Sequence, residues 1–386
     1  MIKVYVYPAD QWGCGSYRLI WPAAGIDGAD MDVVVQQPGE ARNIGGKYDP
    51  QTMELYEERY PEDADVIVLQ RPTGMFQHQM ISLLRKRGVA VVVDMDDDLA
   101  HVHPANPAFR MMSPRVVDPR AVAQAEQMAP VERGQVNPVR TNYHSWHNAG
   151  KACQAATLVT VTTPQLRSSY GAHGRVRVLP NYVPASYLDT PHDDGDLIGW
   201  GGSIHSHPDD LQVMGPAVAN LVRREGARFE TVGNPQGVGA ALNLPGGDPV
   251  SPGDVGLDQW PVQIARFGIG VAPLASTRFN NAKSRLKPLE YAACGVPCVL
   301  SPAADYQAWA DEAGAACVVA SKPRHWEGAL RALLRDPGRR QEMSEAGRAA
   351  AAANTIEGNA WRWAEAWASA YMIEHAAGAK VPAGAT

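Results

Sequence analysis

Three things are scarce in this chain, and each scarcity excludes a class of protein. Its 386 residues contain five cysteines, Cys14, Cys153, Cys294, Cys298 and Cys317. They are odd in number, far apart, without a C-x-x-C pair and without histidines at zinc spacing, so reduced and mostly buried thiols are expected rather than a disulfide framework or a structural zinc site. No apolar run approaches the roughly 20 residues that a membrane span needs. The opening MIKVYVYPAD passes straight into strand-like alternation, without the apolar stretch and cleavage site of a signal peptide, so a cytoplasmic protein is expected. Positive charge is in deficit as well: 35 Lys and Arg against 41 Asp and Glu leave a net charge of −6, and neither half of the chain has the basic excess of a dedicated nucleic-acid binder.

What is present is a regular alternation of strand-like and helix-like segments. The strands KVYVY, MDVVVQ, ADVIVLQRP and VAVVVDMDDD come first, and MFQHQMISLLRKRG places Phe76, Met80, Leu83 and Leu84 on one helical face. ATLVTV and RVRVL follow a long Pro-punctuated excursion, Pro104 to Pro138, which carries Arg110, Met111, Met112, Arg115 and Arg120. The Pro-, Gly- and Asp-rich DTPHDDGD, Asp189 to Asp196, marks a boundary, and a second series begins with LIGWGGSIHSHPDDL. Length and pattern together predict two α/β domains with mostly parallel sheets, residues 1–192 and 193–354. A Trp-rich helix over 355–378 then opens with Asn354 and Glu357 at capping-box spacing and sets Ile356, Ala360, Trp363, Trp367, Ala370 and Tyr371 on one face. Residues 379–386 read as a disordered tail.

Several short stretches carry chemistry. In GWGGSIHSHPDDL a strand gives way to Gly201, Gly202 and Ser203 and then to a helix, so backbone N–H groups and a helix N-terminus could meet a phosphate; a tight turn without a ligand is the plainer alternative. Gly13 and Gly15 in WGCGSYR match the start of a dinucleotide fingerprint, but Arg18 stands where its third glycine belongs. Asp94, Asp96, Asp97 and Asp98 end a predicted strand, where carboxylates can hold a divalent ion, serve in catalysis or simply be solvated, and His101 and His103 follow. In KSRLKPLEYAACG, Lys283 and Lys287 are four residues apart at the start of a helix that Gly295 ends. Two ammonium groups and a helix N-terminus suit a diphosphate, and Glu290, three residues after Lys287, can accept hydrogen bonds from a diol. A surface salt bridge is the alternative.

PLASTRFNNAKSRLKPLEYAACGVPCVLSP resembles the donor-site signature of retaining GT-B glycosyltransferases, and in particular a branch found in bacteria and phages. VVDMDDDL, ATLVTVTTPQL, VLPNYV and IGWGGSIHSHPDDL resemble further points of that family in the same order. The resemblance implies two facing Rossmann-like domains, an acceptor-side N-terminal domain and a donor-binding C-terminal one, with the terminal helix crossing back to the first. It implies transfer of a sugar from a nucleotide-diphosphate-sugar to an acceptor hydroxyl, with retention and without a metal or other cofactor. Glu290 would bind the ribose and Lys283, Ser284 and Lys287 the diphosphate, with Gly13, Gly15, Arg18, Gly202, Ser203 and His205 as further donor-binding positions. Asp96, Asp98 and His101 are the catalytic candidates. The family commonly has a second glutamate eight positions before the ribose one, where this chain has Ala282. A binding module without catalysis and a nucleotide-sugar epimerase on the same fold remain alternatives, and the acceptor, whether glycan, protein or modified DNA base, is open.

Overall fold

The computed structural model describes residues 1–26, 30–37, 43–49, 51–52, 54–74, 76–112 and 145–378. The chain divides into two compact units, Met1–Pro180 with Ala360–Thr386 and Asn181–Asn359. The first crossing thus falls before the Asp189–Asp196 segment. Backbone pairing explains the position: Val183 bridges Thr355, and Val183 N and O bond Asn354 O and Ile356 N at 3.1 and 2.8 Å, which ties the stretch after Pro180 to the second unit.

In the first unit the strands are β1 (Ile2–Tyr7), β2 (Met31–Val35), β3 (Gly45–Tyr48), β4 (Leu55–Arg59), β5 (Val66–Gln70), β6 (Ala90–Met95), β7 (Leu158–Val161) and β8 (Val176–Val178). Six of them form a parallel sheet in the order β2-β1-β5-β6-β7-β8. Both β5 and β6 are buried along their whole length, which is why their sequences are continuous apolar runs rather than alternating ones. β3 and β4 make a separate antiparallel hairpin. Residues 13–24 form helix α1, π-helical over Ser16–Ile20. Helices α2 (Gln77–Lys86) and α3 (Ser145–Ala155) pack on each other, α2 burying Met80, Ile81 and Leu84.

The C-terminal helix Trp361–Gly378 belongs to this unit and packs on β5 and β6. Trp363 and Trp367 are 0 and 1 % exposed, and burying an indole of about 150–250 Å² contributes roughly 4–6 kcal/mol as an upper figure. Polar bonds fix its register: Trp363 Nε1 donates to Arg18 O at 2.7 Å, and Glu374 accepts from Thr157 Oγ1 at 2.6 Å and Arg85 Nε at 2.8 Å. The expected capping box does not form. Thr355 Oγ1 accepts from Gly358 N instead, while Glu357 accepts from Ala185 N at 2.8 Å, and a break at Ala360 separates a short helix, Ile356–Asn359, from the long one.

The second unit holds β9 (Leu197–Gly201), β10 (Arg228–Val232), β11 (Ile269–Ala272), β12 (Cys298–Leu300) and β13 (Cys317–Val319), all parallel, in the order β10-β9-β11-β12-β13. Helix α4 (Ala217–Glu225) and the strongly amphipathic α6 (Pro323–Arg335) pack together on a core that includes Trp200, Leu211, Val218 and Trp326. Helix α5 (Leu286–Ala293) lies between β11, β12 and α7 (Pro337–Ala352). Gly295, at φ +77°, closes α5, and a Cβ there would come within 2.6 Å of the Arg348 guanidinium. Arg348 in turn bonds the carbonyls of Ala293, Cys294 and Thr190. The two parallel sheets with their helices agree with the expected two Rossmann-like α/β units. Among the described residues no helix is long and apolar enough to cross a membrane.

Candidate functional site

In each sheet the strand order reverses beside the unit's first strand. The loops after β1 and β5, and after β9 and β11, therefore diverge at the carboxyl edge, where ligands of open α/β sheets bind. Most of the second unit's candidates gather at its reversal. Gly202 follows β9 at φ +156°, and a Cβ on it would meet the Trp200 ring at 2.8 Å and Lys287 Nζ at 3.1 Å. That missing side chain lets Lys287, from the first turn of α5, reach back to donate to Gly201 O and lie over the Trp200 ring, 5.3 Å from its centroid. Burial lowers the Lys287 ammonium to about 8, against the pull of Asp210 and Glu290. Gly233 abuts the same loop, its own Cβ position 2.3 Å from Gly202 O.

Glu290 lies on the next turn of α5, 5 % exposed. Ser284 Oγ accepts from Asn181 Nδ2 at 2.9 Å, and Lys283 Nζ sits 4.6 Å from the Phe279 ring centroid. Ser203 organises the turn after β9, its carbonyl receiving His207 N at 3.1 Å; His205 is exposed on that turn. Helix α5 begins at Leu286, so Lys283 precedes the helix that was expected to carry both lysines; Asp305 takes the amide of the N-cap residue Arg285 at 2.7 Å and pairs with its guanidinium. Arg285 is thereby turned into a structural pair with Asp305 and Glu312.

Sequence reasoning missed the residue that ties this edge together. Asp210, buried at the end of the turn, accepts Ala275 N at 2.8 Å and Asn280 Nδ2 at 2.6 Å on Oδ1, and meets His207 Nδ1 at 2.8 Å on Oδ2. It thus joins the loop after β9 to the loop after β11 across the strand reversal. Burial would raise its carboxyl, but His207, the Ala275 amide and Lys287 hold it below the ordinary range. His207 is lowered to about 4, first by burial and then by Lys287 and Lys283, with Asp210 opposing. The H-x-x-D spacing of His207 and Asp210 was the available signal, and its i,i+3 geometry is the observed one.

The first unit repeats the pattern at its own reversal. The Ala9 amide donates to Gln70 Oε1 at 2.9 Å and Gln70 Nε2 to Cys14 O at 3.1 Å, joining the loop after β1 to the end of β5. Arg71 follows with left-handed backbone, φ +48°, a conformation that concentrates at functional positions. It pairs with both oxygens of Asp96, reaches Asp97 at 3.2 Å and Cys14 Sγ at 3.0 Å, and its charge is held well above the ordinary value despite burial. Burial raises the Cys14 thiol to about 12, which makes it inert as a nucleophile. Asp98, buried, meets His101 Nδ1 at 2.9 Å and so orients a ring that is partly exposed.

Two expected site residues are placed elsewhere. Arg18, 1 % exposed, pairs with Asp94 through Nε and Nη2 at 3.1 and 2.7 Å and donates to Leu179 O; Thr160 Oγ1 completes the carboxylate at 2.7 Å. Both charges are thus core elements rather than ligand contacts. The Gly15 amide is taken by Asp10 Oδ1 at 2.9 Å, and a Cβ there would overlap Asp10 O at 1.7 Å, so this glycine shapes the turn instead of offering its N–H to a phosphate. Gly13 begins α1 with open space at its Cβ position. Gly13, Gly15 and Arg18 are in the first unit and the other donor-binding candidates in the second. Arg115 and Arg120 of the excursion, and residues 379–386, lie outside the described residues. Among the described residues no three His, Cys, Asp or Glu side chains are grouped as ligands of a metal ion.

Residues 217–366 match the model of a family described as glycosyl transferase-like. No curated protein matches the chain. Among solved structures, sucrose-phosphate synthase from Thermosynechococcus elongatus is 13 % identical with a TM-score of 0.58, covering 96 % of this chain and 100 % of its own. HepE from Anabaena, solved in complex with UDP, is 12 % identical with a TM-score of 0.56 at 96 and 100 % coverage. WaaG, a glycosyltransferase involved in lipopolysaccharide biosynthesis, is 14 % identical with a TM-score of 0.54 at 95 and 99 %. At such identities the likeness is one of fold, the GT-B fold of two Rossmann-like domains, and it spans nearly the whole chain.

Proposed function

We propose that the protein is a glycosyltransferase that moves a sugar from a nucleotide-diphosphate-sugar to an acceptor hydroxyl, with retention of configuration and without a metal. The observation that carries this reading is the carboxyl edge of the second sheet, where Lys287 is drawn against the Gly201–Gly202 loop one helical turn before Glu290. Lys283, Ser284 and Lys287 serve the diphosphate and Glu290 the ribose diol. Two ammonium groups and the N-terminus of α5 stabilise the charge that develops on the leaving diphosphate, the task a metal performs in other transferases. The bond from the anomeric carbon to the diphosphate oxygen breaks as the acceptor oxygen bonds to that carbon, and the acceptor's proton passes to the departing oxygen. In the first unit, Asp98 holds His101 Nδ1, and Asp96, Asp98 and His101 are the catalytic groups of this reading. HepE binds UDP, which supports a uridine donor as the first to try. We place the protein in the bacterial or phage branch and in the cytoplasm, where its five thiols stay reduced.

Ala282, buried where the family commonly has an acid, favours one second reading, a module that binds nucleotide-sugar without transferring it. A thermal-shift screen of UDP-, GDP-, ADP- and dTDP-sugars identifies the donor, since binding raises the melting temperature. Release of nucleoside diphosphate from that donor then separates enzyme from module. Transfer that disappears with EDTA and returns with Mn²⁺ would overturn the metal-free part, and an isomerised free nucleotide-sugar would replace transfer by epimerisation.

A further inference from the structure

His207 has no part in the reading above, yet it faces the same cations. Its ring is 18 % exposed, and Nδ1 is fixed to Asp210 Oδ2 at 2.8 Å. Asp210 accepts in that bond: His207, the Ala275 amide and Lys287 hold its carboxyl below the ordinary range, so it is ionised and has no proton to give. Nδ1 therefore carries the hydrogen, and Nε2 is the nitrogen with a lone pair in the neutral ring. The charged groups that act on it are Asp210 on its own turn and Lys283 and Lys287 from the segment entering α5. Arg285 is directed to Asp305 and Glu312. Among the described residues Lys287 meets a carbonyl oxygen and an indole face and forms no ion pair within 4 Å. His207, its partner Asp210 and the two ammonium groups that act on its ring thus form one charged cluster at the strand reversal.

We propose that a bound diphosphate converts His207 to the imidazolium, making it a third cationic contact beside Lys283 and Lys287, so that nucleotide-sugar binding takes up one proton from solvent and releases it when the nucleoside diphosphate leaves. The inference rests on the donor site proposed above. Its physical basis is that the two lysines that oppose protonation of the empty site are neutralised by the anion, while Asp210 stays in place as the imidazolium's partner. Burial and the lysines hold the free ring at about 4, so it is neutral before binding at pH 6.5, whereas Lys287, lowered only to about 8, is already charged there. His207 is then the group able to accept the proton.

The test is isothermal calorimetry of UDP-glucose with the full chain at pH 6.5, in ACES and in imidazole buffer, whose ionisation enthalpies differ. UDP-glucose has no phosphate group titrating near neutrality, so buffer dependence reports on the protein. The expected result is uptake of close to one proton per UDP-glucose, and a dissociation constant that rises about tenfold from pH 5.5 to pH 6.5, as linkage of one proton requires. His207→Gln should lose the uptake, lose the pH dependence and bind about tenfold more weakly at pH 5.5. Binding whose enthalpy is the same in both buffers overturns the inference and leaves the donor site standing, as does uptake that persists in His207→Gln. If UDP-glucose and its GDP, ADP and dTDP counterparts all fail to bind, the donor-site reading falls and this inference with it. The wild-type measurement is decisive even if the variant does not fold.

Discussion

Replacing Asp210 tests how the candidate donor site is held together. In Asp210→Ala the Ala275 amide and one N–H of Asn280 Nδ2 lose their acceptor inside the protein, while the partly exposed His207 ring also loses its partner. A buried donor left unpaired costs about 1–3 kcal/mol, so the two together should cost about 4 kcal/mol. For a unit of this size 1 kcal/mol corresponds to about 2–4 °C, which predicts a melting temperature lower by about 8–16 °C. Asp210→Asn keeps an oxygen where Oδ1 stands and can donate its amide to His207 Nδ1 once that ring changes tautomer. Its expected cost is therefore only about 1 kcal/mol, close to one ordinary hydrogen bond. Differential scanning calorimetry of both variants gives the comparison. Two variants that melt within 2 °C of each other, in either direction from wild type, would show that Asp210 is not the joint between the loops after β9 and β11.

Other outcomes follow from the same contacts. His207 is neutral in the folded chain down to about pH 4 but ordinarily titrates at 6.5, so the unfolded state binds more protons in that window and stability should fall as pH drops from 6.5 to 4. At 1.4 kcal/mol per unit the loss is up to about 3 kcal/mol, and urea melts of His207→Gln should lack it. Trp363→Ala removes a buried indole and its bond to Arg18 O, and guanidinium unfolding should show a loss of about 3–5 kcal/mol; a change below 1 kcal/mol would mean that the C-terminal helix is not docked on β5 and β6. His101→Ala should reduce kcat by about 10²–10⁴ with donor affinity unchanged, and a rise in donor Kd alone would move His101 from chemistry to binding.

The strands and the helix ends were legible in the sequence because they are local. VAVVV is a continuous apolar run because β6 is covered on both faces, and Gly295 stops α5 because only a glycine fits beside Arg348 at that φ. The long-range polar pairs were not legible. Arg18 read as a ligand contact because its partner, Asp94, lies 76 positions away, and Asp210 drew no attention because its donors are 65 and 70 positions away. The hairpin of β3 and β4 escaped because Lys47, Glu57 and Glu58 interrupt its alternation with charges that pair across or beyond it. At the site, the spacing of Lys283, Lys287 and Glu290 indicated one helix end, but the reach of Lys287 to Gly201, 86 positions earlier, depends on the neighbouring Gly202, which no periodicity marks.

The central claim is that the carboxyl edge of the second sheet binds the donor nucleotide-sugar through α5. Calorimetric titration of Glu290→Ala with the donor found by the thermal-shift screen addresses it most directly. Loss of a buried carboxylate that accepts from a diol predicts a dissociation constant raised by about 10- to 150-fold, at about 1.5–3 kcal/mol for hydrogen bonds to a charged group. Unaltered donor affinity in a folded Glu290→Ala would contradict the account.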